Sequence, residues 1–586
     1  MGNAARRAPR AETRAAVRGC IDRLPERYRI VLLLCDNEDL DTVDTASTIS
    51  SLPHERSVVT ARVRGPRGLP IVAALLLLAA LPARGAIPDA PEQAEVLAEL
   101  ARARFGQLTA AERMLVRGAP SRELAWVGPS SDPDDPTNDP TRGAEWGPER
   151  GIREGILRWL YTDAEASRFL DASGLGVAGA RIDGKLDLSY VKGDKPLTIV
   201  SSYIPDGIDV SFSHLQSLEV RRSSTGPIVA DMSEVAGDLA FRFGTYGPLS
   251  LFRARIGGNL DCTGSTLRGS GQQSVNAIGA VIAGDMVFHD GFTTEGIVDL
   301  RLAHVGQSLS FHHATFSGTD DTGLDAERAS IGGTLYWVEI EHTPTTELDL
   351  ENTKADALWD DEASWPAPGK LVIDGFTYTE LAGGPADAEP RLRWLGRQPA
   401  GYRPQPYRQL AKVLHDGGRE TGATDVLIAK EELRRREGGL GRLERAWNLM
   451  LDLTIGYGYR PLRALWWIAG FVILGTFLFG LGYRARLVTP TDDAAYRVFV
   501  ESGVAPPHHP PFHALVYALE NFLPVVDLDQ GEFWRPNPVH GLNGRAGNIR
   551  VVPARLLRWY LWLHILAGWT LTPLLFAGLS GLVHPD

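Results

Sequence analysis

The chain has 586 residues, enough for several domains, and its 72 acidic against 60 basic side chains leave a net charge of −12. That balance excludes a surface built wholesale for nucleic acid, which needs a basic face. Three cysteines, Cys20, Cys35 and Cys262, make neither a metal cluster nor a disulfide framework.

Residues 1–66 read as a separate piece. Leu24-Pro-Glu-Arg-Tyr-Arg29 opens an amphipathic helix through Leu34, Leu40 to Ala46 suggests a second, and Glu55 to Arg64 a third after the turn Ser51-Leu-Pro53. Residues 18–64 resemble the helix-turn-helix of extracytoplasmic-function sigma factors, whose last helix enters the major groove. The polymerase-binding region of such a factor is missing, so nucleic acid is a partner only if this piece is expressed. Arg62, Arg64 and Arg67 then precede the apolar run Leu69 to Leu81 and Ala83-Arg-Gly85. That is the order of a secretory signal, and the run is short for a membrane span. Residues 67–86 are therefore expected to be a signal peptide or short anchor. A start assigned too far upstream accounts for 1–66 more simply than a tethered regulator.

Residues 87–170 form an expected helical cap. Gln93 to Val116 is helical in pattern, with Thr109-Ala-Ala-Glu112 as a capping box. Gly128 to Glu145, rich in Asp and Pro, reads as an exposed loop. Ile152, Ile156, Trp159 and Leu160 share a helix face. Gly174-Leu-Gly176-Val-Ala-Gly179 spells a dinucleotide-binding fingerprint, but that chemistry needs a helix after the glycines to meet the pyrophosphate. Here a strand follows, which predicts a cap-to-coil turn and no cofactor.

Between Gly179 and Trp337 one phrase returns. It reads Ala180-Arg-Ile182-Asp-Gly184, Ser233-Glu-Val235-Ala-Gly237, Ala254-Arg-Ile256-Gly-Gly258, Ala280-Val-Ile282-Ala-Gly284, Ala303-His-Val305-Gly-Gln307 and Ala329-Ser-Ile331-Gly-Gly333. The later steps are 21, 26, 23 and 26 residues, and the gap from Ile182 to Val235 leaves room for one degenerate copy. Alternation of apolar and polar residues is the period of a strand, and repetition at this length marks stacked units. The glycines suit tight corners. The expectation is a parallel β-solenoid over 171–385, resembling degenerate pentapeptide-repeat proteins. Lys185, Asp238, Asn259, Asp285, Ser308 and Thr334 follow the corners and should form a polar ladder. Paired acids on such a face would suit polysaccharide chemistry. His289, His304, His312 and His313 lie in adjacent coils within reach of a metal but share no repeated ligand spacing. No catalytic, cofactor-binding or metal site is assigned.

Residues 386–453 predict a helical hairpin and an interface helix. Leu410, Val413 and Leu414 face Val426, Leu427 and Leu433 across Gly417-Gly418, capping the solenoid's far end. Within 454–586, the stretches 464–483 and 561–583 are long and apolar enough to cross a bilayer, with Trp466, Trp467, Tyr483, Trp559 and Tyr560 at their ends. Phe512 to Val526 should lie in the interface or dip into the membrane. Arginines flank both sides almost equally, so only the signal-like run favours an extracytoplasmic solenoid. Thr454-Ile-Gly456-Tyr-Gly458 spells a potassium-channel filter but precedes the first span, where an elbow is expected.

Tyr407-Arg-Gln-Leu-Ala411, Ile428-Ala-Lys-Glu431, Ile455-Gly-Tyr-Gly-Tyr-Arg-Pro461, Phe522-Leu-Pro-Val-Val-Asp-Leu528 and Gly568-Trp-Thr-Leu-Thr572 resemble a family of uncharacterised bacterial membrane proteins with pentapeptide-like repeats, sometimes labelled membrane-associated oxidoreductases. The resemblance spans about 95–585 and brings no catalytic residues with it. The expected function is a non-enzymatic scaffold, multi-pass in the bacterial inner membrane, which presents a binding face to a partner protein or envelope polymer. Homo-oligomerisation is left open. A solenoid-gated ion pore and an envelope polysaccharide enzyme are the alternatives.

Overall fold

A computed structural model describes residues 90–580 apart from 270–272, 318–321, 343–344, 538–544, 547–548 and 551–553. The sigma-like piece and the signal-like run fall outside the described residues.

From Leu175 to Gly383 the chain winds through four faces per coil. In one coil these are Leu218–Arg221 (face 1), Ser224–Thr225 (face 2), Ile228–Val229 (face 3) and Glu234–Val235 (face 4). Among the described residues, and counting the leading strands Ala125–Trp126 on face 1 and Gly151–Arg153 on face 2, the faces carry eleven, nine, nine and seven strands, stacked in parallel coil upon coil. Strand periodicity sends Leu218 and Val220 inward and Glu219 and Arg221 outward. Stacking in register then builds an internal column of Leu175, Leu197, Leu218, Leu239, Leu260, Met286, Leu309, Leu335, Leu358 and Leu381. Each fully buried member contributes about 1.5–3 kcal/mol, which no single coil could gain by itself.

The repeat phrase needs one correction. Val235, Ile256, Ile282, Val305 and Ile331 form one column on face 4, but Ile182 pairs with Ile152 on face 2. Two coils occupy the gap, not one copy, and they supply Lys192–Gly193 and His214–Leu215 to face 4. All four faces share the alternation, so a local phrase cannot say which face it lies on.

Of the corner glycines, Gly184 (φ 98°) takes the expected turn backbone, whereas Gly237, Gly258, Gly284 and Gly333 do not. A Cβ on Gly257, Gly306 or Gly332 would collide with the carbonyl oxygen of Ala236, Ala283 or Gly306 in the preceding coil, so these positions answer to close stacking. Left-handed backbone occurs instead at two other corners, mostly on larger residues. Phe212, Met232, Leu302 and Arg328 lie between faces 3 and 4; Arg222, Phe243, Asp290, His313 and Glu339 lie between faces 1 and 2. Each costs about 1–2 kcal/mol. Inter-coil bonds such as Phe212 N–H to the Asp231 carbonyl (2.9 Å) hold them in place.

At the amino end, Gly106 (φ 73°) splits the expected single helix into α1 (Ala90–Phe105) and α2 (Ala110–Gly118), with the Thr109–Glu112 capping box at the second start. Glu112, fully buried, takes Arg153 Nε at 2.7 Å and so ties α2 to the first rungs. Ile152 sits in a rung, Gly151–Arg153, just before α3 (Glu154–Thr162). The 128–145 segment is a folded strap, not a free loop. Asn138 is buried and donates to the Ser130 and Asp132 carbonyls, and Asp134 pairs with Arg222 of the solenoid.

At the carboxyl end α4 (Ala388–Leu395), α5 (Pro404–Asp416) and α6 (Glu420–Glu437) close the last coil. Leu410, Val413, Leu414 and Val426 are buried there, with Leu427 and Leu433 packed against them. Beyond lie α7 (Arg442–Ile455), α8 (Arg463–Arg484), α9 (Asp493–Ser502), α10 (Ala514–Phe522), α11 (Gln530–Phe533) and α12 (Ala554–Leu579). Helices α8 and α12 are long and apolar enough to cross a membrane. The buried imidazole of His564 on α12 donates from Nε2 to the Ala518 carbonyl of α10 (2.9 Å), and side chains at Gly475 and Gly568 would exclude His564 and the Phe522 carbonyl. Helix α10 is thus wedged between the two long helices.

Candidate functional site on the outer edge of the solenoid

The polar ladder exists, and its chemistry is structural. Asn259 N–H donates to Asp238 Oδ1, Asp285 N–H to Asn259 Oδ1 and Ser308 N–H to Asp285 Oδ1, each at 2.8 Å, and Thr334 N–H reaches Ser308 Oγ at 3.3 Å. Each side chain satisfies the backbone of the next coil, at a spacing of about 4.8 Å. Asp238 and Asp285 are separated by Asn259 and do not pair. Lys185 is not on this ladder; its Nζ binds Asp209 Oδ2 at 2.7 Å.

Face 3 carries a column that local reading missed. Asp299, Asp325 and Asp349 stack in register in three successive coils. Arg301 neutralises the first at 2.7 Å and lies 3.4 Å from the second. Burial, with the neighbouring charges of Asp325, Glu351 and Glu347, pushes the Asp349 carboxyl up to about 6, despite the N–H that Glu351 donates to it. Against about 3.9 in an unfolded chain, the folded protein therefore holds a proton across roughly pH 4–6 that the unfolded chain has lost. This contribution to stability is complete below about pH 4 and is lost as pH rises through about 6. Asp349→Asn should raise the solenoid's stability by about 1–2 kcal/mol near neutrality, and the gain should vanish below about pH 4.5. Urea unfolding of both proteins across that range checks it.

The most distinctive arrangement lies at the corner between faces 1 and 2. Val287, Ser310, Tyr336 and Trp359 form an outward column on face 1. Tyr336 and Trp359 have ring centroids 5.7 Å apart, Trp359 is 42 % exposed, and a Cβ on Gly383 would strike its indole. Beside them a groove of about 480 Å³ is lined by His289, Asp290, Ser310, His312, Tyr336 and Trp359. His289 Nδ1 stands 2.9 Å from Asp290 Oδ2. His313 and Glu339 continue the corner in the following coils. His304 is not among them: it sits in a strand of face 4.

The two other sequence motifs have turn geometry. Gly174 and Gly179 (φ 94° and 69°) bracket the face 1 strand Leu175–Ala178, and the next element is the strand Arg181–Asp183, so no helix terminus faces the glycines. Gly456, Tyr457 and Gly458 all take positive φ in an elbow between α7 and α8. The buried Tyr457 hydroxyl lies 2.9 Å from both Asn448 Oδ1 and Arg435 Nη1, which places the motif in a polar latch against α6 and not in an extended row of carbonyls.

Glu339, Asp290, Tyr336 and Trp359 were absent from the sequence-derived candidates. Carrying the repeat steps forward would have found them, since Asp290, His313 and Glu339 are spaced like Ile282, Val305 and Ile331. Comparison with protein-family models, with curated proteins and with solved structures returns no match for this chain.

Proposed function

We propose that the chain is a membrane-anchored, non-catalytic β-solenoid whose aromatic corner groove binds a cell-envelope polysaccharide. The carrying observation is the pairing of an aromatic platform, half-buried Tyr336 and exposed Trp359, with a rim of His289, Asp290, Ser310 and His312. A sugar ring offers an apolar face to aromatic rings and hydroxyls to such a rim. Neither acidic column offers two carboxylates flanking this groove, which favours retention of the polymer over its cleavage.

Anchoring is read from α8 and α12, only 22 % and 28 % buried over their most apolar stretches, unlike core helices of a globular protein. Trp466, Trp467, Trp559 and Trp562 are exposed near the ends that would meet the lipid interface. The chain would then be a multi-pass protein of a bacterial inner membrane, its coils a degenerate relative of the pentapeptide-repeat plan. The signal-like run at 67–86 favours a solenoid outside the cytoplasm.

Soluble peptidoglycan- and chitin-type oligosaccharides titrated into the detergent-solubilised protein should quench or shift its tryptophan emission. Trp359→Ala should weaken binding at least about tenfold, roughly the loss of one aromatic stack. Equal binding by the variant would refute the groove, and release of shortened oligosaccharides would refute the non-catalytic reading.

A further inference from the structure

We propose that His312, His313 and Glu339 bind one divalent transition-metal ion at the corner between faces 1 and 2. One ligand atom from each lies within 4.8 Å of the others. His312 Nε2 stands 3.6 Å from Glu339 Oε2, and His313 Nε2 contacts the same oxygen. Ligands on a tetrahedral zinc stand about 3.4 Å apart, so small rotations of exposed side chains complete the geometry.

The backbone makes this convergence. Successive residues of a strand point to opposite sides of a sheet, so His312 and His313 should diverge. The left-handed conformation at His313 (φ 55°) swings its ring back, and the two imidazoles meet edge to face at 4.2 Å. Glu339 occupies the equivalent left-handed corner one coil on (φ 55°). Its N–H donates to Asp361 Oδ2 at 2.7 Å, and His313 N–H donates to the Val338 carbonyl at 3.1 Å. The three ligand positions are therefore fixed by the coil ladder before any ion arrives. A surface ion pair would need one imidazole for the carboxylate; here two share one oxygen.

Two imidazoles and a carboxylate suit zinc, cobalt, nickel or copper and not the all-oxygen preference of calcium or magnesium. Three protein ligands also leave a coordination position open, on the side where His312 borders the Tyr336–Trp359 groove. The site does not depend on the polysaccharide reading and is tested without sugar.

Metal-stripped full-length protein in detergent would be titrated with Co(II), followed by visible absorption, and with Zn(II), followed by calorimetry. One ion per chain should bind in the micromolar range or tighter. His313→Ala and Glu339→Gln should each weaken it by at least about tenfold. His304→Ala, remote on face 4, should leave it unchanged. All three changes are on the surface, so unchanged thermal unfolding separates lost binding from lost structure. Absence of binding up to millimolar metal, or binding that survives both ligand substitutions, would overturn the site.

Discussion

Asp360→Ala should destabilise the last coils by about 3–5 kcal/mol, the usual loss when one partner of a buried ion pair is removed. The inward column Phe311, Trp337, Asp360 ends on a carboxylate where a hydrophobic residue would be expected. Arg391 of α4 enters the same interior, and both side chains are almost completely buried. The pair is bidentate, with Nη1–Oδ2 at 2.8 Å and Nη2–Oδ1 at 2.6 Å; Trp365 Nε1 donates to the same carboxylate, and Arg391 Nε to the Pro385 carbonyl. Removing Asp360 strands the guanidinium and the indole N–H together. Hydrogen exchange should show α4 and the rungs 357–383 losing protection first, while rungs near 218–242 stay protected. An apolar replacement of both partners, Asp360→Leu with Arg391→Met, should recover most of the loss, because the pair's net worth is far smaller than the penalty of breaking it. Full stability of the single variant would mean that the cap is held elsewhere.

Ile473→Arg should have the second large effect. Ile473 lies in the middle of α8 and is 70 % exposed, next to exposed Leu474 and Phe477. In water such a position accepts arginine with little change, and the loss of an exposed apolar group would even help solubility. At the centre of a bilayer the same change costs about 2.5–3.5 kcal/mol on insertion scales. Helix α10 meets α8 at Gly475, where an added side chain would strike Ala518 and His564 of α12, and Ile473 is left exposed. The sign of the effect therefore separates a water-exposed helix from a lipid-facing one.

The repeat made the solenoid readable from the chain. Val235, Ile256, Ile282, Val305 and Ile331 carry period, alternation and close-packing glycines together, and they stack as expected. Register was not readable at the start, because Ile182 fits the phrase equally well on a different face. The left-handed corners were hidden for another reason: residues such as Phe212 and His313 hold positive φ through inter-coil hydrogen bonds, without the glycine that usually marks it. Asp360 and Arg391 meet only because α4 folds back over the last rung, a contact that no local pattern encodes. Of the histidines, His289, His312 and His313 share a corner, whereas His304 falls on another face. Propagating the steps between Ile282, Val305 and Ile331 separates them and brings in Glu339.

Reconstitution of wild type and Ile473→Arg into lipid vesicles, followed by flotation after an alkaline wash, tests membrane anchoring of the solenoid most directly. Wild type should float with the vesicles while the arginine variant is lost or retained at a clearly reduced level. A wild-type chain that stays in the wash, or an arginine variant that floats equally well, would contradict it.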